Sequence, residues 1–194
     1  RFFEVIDEPE EISGALISPS VFDVVGVQPM LGRAFRTEEA TPGNDLVVIL
    51  SHGFWTRRFA ADPLVIGRPI TLDDQPFTVV GVMPPRFEFP PDAGAVELWR
   101  PLAIDARLLD VRAMRVYNVV GRLEPGVSVE RAREEMDALS LGIAEENPET
   151  NRGWGADVTP ALEQLVGDVA TLVAVLAGAA ALVLLIGCVN VANL

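Results

Sequence analysis

Polar and apolar positions in this chain follow two regimes that meet at Asp168. Upstream, short apolar runs and period-two alternations are punctuated by Pro, Gly and acidic residues. Downstream, residues 169–194 run 26 positions without a charge. The upstream alternation predicts strands at 15–18, 46–50, 69–72, 77–83, 96–100, 116–123 and 154–158. Asp73-Asp74-Gln75-Pro76 forms the turn of a hairpin between two of them, and Pro84-Pro85 and Pro90-Pro91 punctuate the loop that follows. Helical spacing interrupts the strands. Ser18-Pro19 opens a short helix through Val25, and Ser51 caps a second through Phe59, which places Trp55 and Phe59 on one face before Asp62-Pro63 stops it. The clearest helix covers 129–146. Ser128 caps it after the Pro125-Gly126 turn, Val129, Ala132, Met136, Leu139 and Ile143 form one stripe, and Asn147-Pro148 ends it. Strands and helices in this distribution indicate α+β rather than a doubly wound sheet.

The tail reads differently. Its 26 uncharged residues, 21 of them apolar, exceed the ~20 needed to cross a ~30 Å hydrocarbon core. A transmembrane helix is expected at 169–194, and a buried core helix is the weaker alternative because such helices seldom run so long. Thr159 and Pro160 suit an N-cap and first helical residue, so 160–168 is expected to form a stalk of about two turns, with Gly167 its weak point. Asp157, Glu163 and Asp168 precede the span and Arg152 is the nearest upstream cation. That is a poor cytoplasmic flank, so the head is expected outside the cytoplasm. Ala170, Ala174 and Gly178 recur every four residues, and Ala177 and Ala181 form a second row. These five are candidates for close helix packing, although an Ala-rich composition also produces such rows.

Charge narrows the partners. The net charge is −13, with 28 acidic and 15 basic residues, and no basic cluster larger than Arg57-Arg58. Phosphate backbones are repelled by such a surface, so nucleic acid is not an expected partner. Every basic residue is Arg; without Lys there is no P-loop lysine and no Schiff-base lysine. Cys188 and His52 are single, which excludes an intrachain disulfide and Cys/His zinc sites. The N-terminus, Arg1-Phe2-Phe3-Glu4, has neither an initiating Met nor signal-peptide regions, so the segment is expected to begin inside a longer protein.

Candidate chemistry is sparse. Ser51-His52 invites a nucleophile-and-base reading, but neighbours on a helix point about 100° apart, and a helix cap beside an exposed His is the simpler account. Asp73-Asp74 and Glu134-Glu135 fit a solvated turn and a solvated helix face better than a metal or acid/base site. No catalytic, cofactor-binding or metal-binding residue is nominated. Among the aromatics, Phe87 and Phe89 in the proline loop are the ones expected to have some exposure.

Particular strings say more than their physics alone. Residues 17–35 (ISPSVFDVVGVQPMLGRAF), Leu50-Ser51-His52-Gly53-Phe54-Trp55, Arg58-Phe59, Asp62-Pro63, Ile66-Gly67 and residues 77–85 (FTVVGVMPP) resemble the MacB-like periplasmic core domain of FtsX-type ABC permeases. Residues 184–194 (LLIGCVNVANL) are similar to the second transmembrane helix of that family. The pairing of Trp55-x-x-Arg58-Phe59 with Val80-Gly81-Val82-Met83-Pro84-Pro85 especially resembles the duplicated permeases of acidobacteria and related bacteria.

This resemblance implies a two-lobed extracytoplasmic domain, inserted between the first two transmembrane helices of a bacterial inner-membrane permease. The expected division is a strand-rich lobe at 1–115, a strand-helix-strand lobe at 116–159, a stalk at 160–168 and a truncated transmembrane helix at 169–194, with 1–168 on the periplasmic side. It implies ATP hydrolysis in a separate ATPase subunit and no enzymatic site here. The expected role is transmission of ATPase-driven motion to the periplasm, for export or partner activation. Expected partners are the ABC ATPase, a second or paired permease, the lipid bilayer and a periplasmic protein. A membrane-anchored extracytoplasmic sensor or binding module is the alternative, and an anchored hydrolase a third.

Overall fold

The computed structural model describes residues 2–5, 10–91, 93–105 and 117–192, and within them not the side chains of 2–5, 165–172, 183, 185–187 and 189–192. Seven strands, five α-helices and two short 3₁₀ turns are described. The chain divides into two compact units, Arg1–Glu124 and Pro125–Leu194.

The first unit holds all the strands: β1 (Phe2–Val5), β2 (Glu10–Ile17), β3 (Leu31–Gly32), β4 (Val47–Leu50), β5 (Pro69–Leu72), β6 (Gln75–Val82) and β7 (Leu98–Pro101). They form one mixed sheet in the order β3-β6-β4-β7-β2-β1-β5, and a further β5–β6 pairing closes six of the strands into a ring. The β5–β6 hairpin matches the sequence expectation closely. Leu72 pairs with Gln75 across a two-residue turn, and Asp73 and Asp74 both take positive φ, 49° and 64°. That is the twist-compatible turn of tight hairpins, and Asp tolerates it better than most residues. Two parallel pairings, β2–β7 and β4–β6, join segments far apart in sequence.

Ring closure creates an inside and an outside. One cluster draws Ile12, Val48, Leu50, Ile70, Leu72, Phe77, Val79, Val82 and Leu98 from five strands of the ring. Helix α2 (His52–Phe59) seals it with buried Phe54 and Trp55. A second cluster forms on the opposite face from Ile17, Ile49, Val80, Met83, Val96 and Trp99, covered by Phe22 of α1 (Val21–Val25) and by Phe35. The register irregularity opposite Val48/Ile49 explains how β6 serves both. Val79 and then Gly81 pair with successive β4 residues, so Val80 is extra; the parity of β6 changes there and Val82 returns to the face of Phe77 and Val79.

In the second unit, α3 (Val129–Glu146) has the expected bounds, with Ser128 Oγ accepting from the Arg131 N–H at 3.2 Å. Asn147-Pro148 ends α3 as expected, and a short α4 (Pro148–Asn151) follows directly with Asn147 as its N-cap. The expected apolar stripe is not buried: α3 has no buried residue, and Met136, Leu139 and Ile143 are exposed. Helix α5 (Ala161–Ala192) is continuous for 32 residues, about 48 Å at ~1.5 Å per residue, and Gly167 does not interrupt it. Among the described residues, which leave out many α5 side chains, no helix is long and apolar enough to cross a membrane.

Two expected strands are not seen. Residue 116 lies outside the described residues, and 117–124 and 154–158 carry no strand. Val119 is 92% exposed and no described strand pairs with either segment. Local alternation favours extended backbone, but a strand exists only with a hydrogen-bonded neighbour.

Candidate functional site

The strings singled out in the first unit pack on both faces of its sheet, 17–35 against the second cluster and 50–59 against the first. After β2, Ser18 and Ser20 lead into α1, whose Phe22 is fully buried. The Phe22 ring lies 5.8 Å from that of Phe35 and 6.1 Å from that of Phe87. Phe87 in turn meets Trp99 edge-on at 5.3 Å. The Trp99 indole N–H donates to the Phe89 carbonyl at 2.7 Å, so the proline loop is fastened to β7 by the one polar atom of a buried ring. Phe87 and Phe89, expected to have some exposure, keep some: they are half-buried against this second cluster.

The strings 17–35 and 77–85 meet at β3 and β6, where Gly32 pairs with Gly81. Hydrogen bonds from Met30 N–H to the Val82 carbonyl and from Arg33 N–H to the Val80 carbonyl, both 2.8 Å, flank the pair. Gly32 has φ +72°, and a Cβ on it would collide with the Val80 carbonyl. A Cβ on Gly81 would lie 2.5 Å from the Arg33 carbonyl oxygen. Both glycines are therefore demanded by the close approach of two backbones.

Just beyond, Arg33 clamps Glu39 in a two-pronged ion pair, 2.9 and 2.6 Å. Glu39 also accepts from the Arg36 N–H at 2.8 Å and, among the described residues, is the buried charged one. Burial pushes its carboxyl pKa up, but the hydrogen bonds from Arg33 and Arg36, with their charges, outweigh burial and hold it below the usual carboxylate range. The bond to Glu39 raises the Arg33 pKa against the opposing effect of burial.

The Leu50–Phe59 string builds the cap of the ring. Ser51 Oγ accepts from the Phe54 N–H at 3.1 Å, and the indole N–H of Trp55 donates to the Asp62 carbonyl at 2.9 Å. Ser51 is thus the expected N-cap, while His52 lies edge-on to Trp55 at 5.6 Å. From the outer face of α2, Arg57 reaches Glu10 of β2 at 2.8 Å and Glu97 at 2.7 Å. The Glu97 bond raises the Arg57 pKa, partial burial opposes it and Glu10 adds to the rise.

Arg131 binds both Glu134 and Glu135, so that acidic pair neutralises a neighbour on its own helix. Among the described residues no group of three potential metal ligands comes together. Of the five helix-packing candidates, Ala174, Ala177, Gly178 and Ala181 lie exposed on α5, and the Ala170 side chain is outside the described residues. The ion pairs of Arg33 and Arg57 were not legible in the sequence. A signal existed only for the first, an Arg36-x-x-Glu39 spacing that resembles a capping box; the partners of Arg57 lie 47 and 40 positions away.

The family model of the MacB-like periplasmic core domain matches residues 3–139. The chain belongs to this family. Solved structures agree in fold. The periplasmic region of MacB from Actinobacillus actinomycetemcomitans superposes with TM-score 0.51 and 16% identity, over 77% of this chain and 64% of that one. The extracellular domain of the noncanonic ABC-type transporter YknZ from Gram-positive bacteria gives TM-score 0.53 and 14% identity, over 81% of this chain and 77% of that one. The chain thus spans just under two thirds of the MacB region it resembles. No curated protein matches its sequence. Residues 3–139 are thus a MacB-like periplasmic core domain, and its α+β fold is that of the solved periplasmic and extracellular domains.

Proposed function

We infer that the chain is the periplasmic domain and second transmembrane helix of a permease subunit in a bacterial inner-membrane ABC complex, and that it transmits ATPase-driven motion to the periplasm for export or partner activation. The observation that carries this reading is the continuity of α5 through Asp168, where charged sequence gives way to 26 uncharged residues. A helix that runs from water into lipid without a break moves as a rod, so a tilt at one end displaces the other. Residues 160–168 serve as the stalk and 169–194 as the span.

Residues 1–194 contain no Lys and hence no P-loop lysine, so ATP hydrolysis falls to an ATPase outside this segment, which this reading takes to be a separate subunit. Acidic flanking residues at 157, 163 and 168 favour the periplasmic placement of 1–168. Ala170, Ala174 and Gly178, with Ala177 and Ala181, give α5 two rows along which a helix of the same complex, from a second or paired permease, approaches closely. The domain at 1–159 offers its surface to a periplasmic protein.

Purification of the full-length protein from detergent-solubilised membranes tests this reading. It predicts co-purification of an ATPase whose turnover rate changes when the permease is removed. Recovery of a signalling kinase, or of no ATPase under any condition, refutes it in favour of a membrane-anchored sensor.

A further inference from the structure

Residues 117–124 leave the first unit as exposed chain without secondary structure. Among the described residues, one hydrogen bond holds this segment down: Arg122 Nε donates to the Val24 carbonyl at 2.9 Å, across 98 positions of sequence. The acceptor is well suited to a cation. Val24 lies in the last turn of α1, where carbonyls lack partners within the helix and the helix dipole presents its negative end. The chain turns away at Gly26 in the left-handed conformation, φ 79°, with the Gly26 and Val27 N–H groups both donating to the Phe22 carbonyl. An added Cβ on Gly26 would lie 3.4 Å from Nη2 of Arg122, so the absent side chain leaves the guanidinium room to lie against the backbone.

We propose that Arg122 is a clasp: its guanidinium, docked on the C-terminal turn of α1, anchors the segment by which the chain leaves the first unit. Arg122 is a positioning residue. Closed, the clasp limits the freely moving connection to the few residues between Leu123 and the Ser128 cap of α3. Open, the free connection extends back through Tyr117. The clasp is weak by construction, because one hydrogen bond to an exposed site yields to solvent easily. The inference stands apart from the transport reading, since it concerns the mobility of one segment.

A nitroxide at Val119→Cys in the full chain, with Cys188→Ser to leave one thiol, reads that mobility directly. Arg122→Met keeps the aliphatic stem and removes the donors. It is expected to shorten the rotational correlation time of the label about two-fold or more, toward free loop motion on the nanosecond scale. Unfolding of the first unit should stay unchanged. Arg122→Lys, which keeps a cationic donor, restores slower motion. Arg122→Ala gives the same reading as Arg122→Met should the latter fold poorly. A label equally mobile in wild type and Arg122→Met overturns the clasp, and so does an Arg122→Lys variant as mobile as Arg122→Met.

Discussion

Replacing Gly81 by Ala adds one methyl group where two backbones nearly touch. Its Cβ would lie 2.5 Å from the Arg33 carbonyl oxygen, 3.3 Å from Pro29 Cβ and 3.4 Å from Ile49 Cγ1. An ordinary contact needs about 3.4 Å or more, so the Arg33 carbonyl must retreat by nearly an ångström. It cannot do so alone, because the Met30 and Arg33 N–H groups are bonded to β6 at 2.8 Å on either side. Losing both bonds costs about 1–3 kcal/mol, and overpacking about 1–3 kcal/mol more. The lower flexibility of Ala in the unfolded chain returns about 0.4–1 kcal/mol. The net loss is about 3 kcal/mol, a fall in melting temperature of about 10 °C for a unit of this size. Gly53→Ala supplies the opposite sign within the same unit. Gly53 lies in α2 with the nearest atom, Ser51 Oγ, 4.0 Å from the added Cβ, so helix propensity raises stability by about 0.5–1 kcal/mol. Thermal unfolding followed by the fluorescence of buried Trp55 and Trp99 measures both. A Gly81→Ala loss below about 1 kcal/mol, or no difference between the two variants, refutes the close-approach argument.

Glu39→Gln is expected to cost about 1–2 kcal/mol at neutral pH, the lower figures reflecting the partial exposure of Arg33. Because the folded carboxyl titrates below its unfolded counterpart, its contribution is complete above the unfolded value of about 4.3 and is lost as pH falls through the lower folded value. The gap between the urea midpoints of wild type and Glu39→Gln should therefore narrow as pH falls below about 4.3, and a gap that stays as wide in acid as at neutral pH contradicts the ion-pair account. Trp99→Phe removes the donor to the Phe89 carbonyl and part of a fully buried ring; circular dichroism during denaturation should show a loss of about 2–3 kcal/mol. Asp74→Gly places the residue with no Cβ at φ 64°; a gain of about 0.5–1 kcal/mol in the same assay is expected, and a loss would mean that Asp74 contributes more than its turn geometry.

Elements governed by local chemistry were legible in the sequence. Ser51 and Ser128 announced α2 and α3 because a cap acts within three residues, and Asp73-Asp74 marked the hairpin because a tight turn demands particular φ values. What depends on distant partners was hidden. Alternation at 15–18 and 96–100 indicates strands, the first of them only the end of β2, but nothing local says that they pair in parallel or that β5 returns to close the ring. The same limit misled at 117–123 and 154–158, where alternation occurs without a paired neighbour. The two-residue β3 is too short to carry a period, and it exists because Gly32 and Gly81 let the chains approach. The family strings were readable as strings before their physics was. In the first unit their residues turn out to be the Gly pair, the Ser51 cap, the Trp55 anchor and Phe22, which position the fold, while the exit at Arg122 carries no string of comparable strength.

Transmission of motion is tested most directly by distance distributions between nitroxides at Leu64→Cys in the first unit and Leu141→Cys in the second, with Cys188→Ser, in the full-length permease reconstituted with its ATPase in lipid nanodiscs. The account predicts a distribution that shifts between the nucleotide-free and ATP-trapped states. Identical distributions in both states, with the ATPase turning over normally, would contradict it.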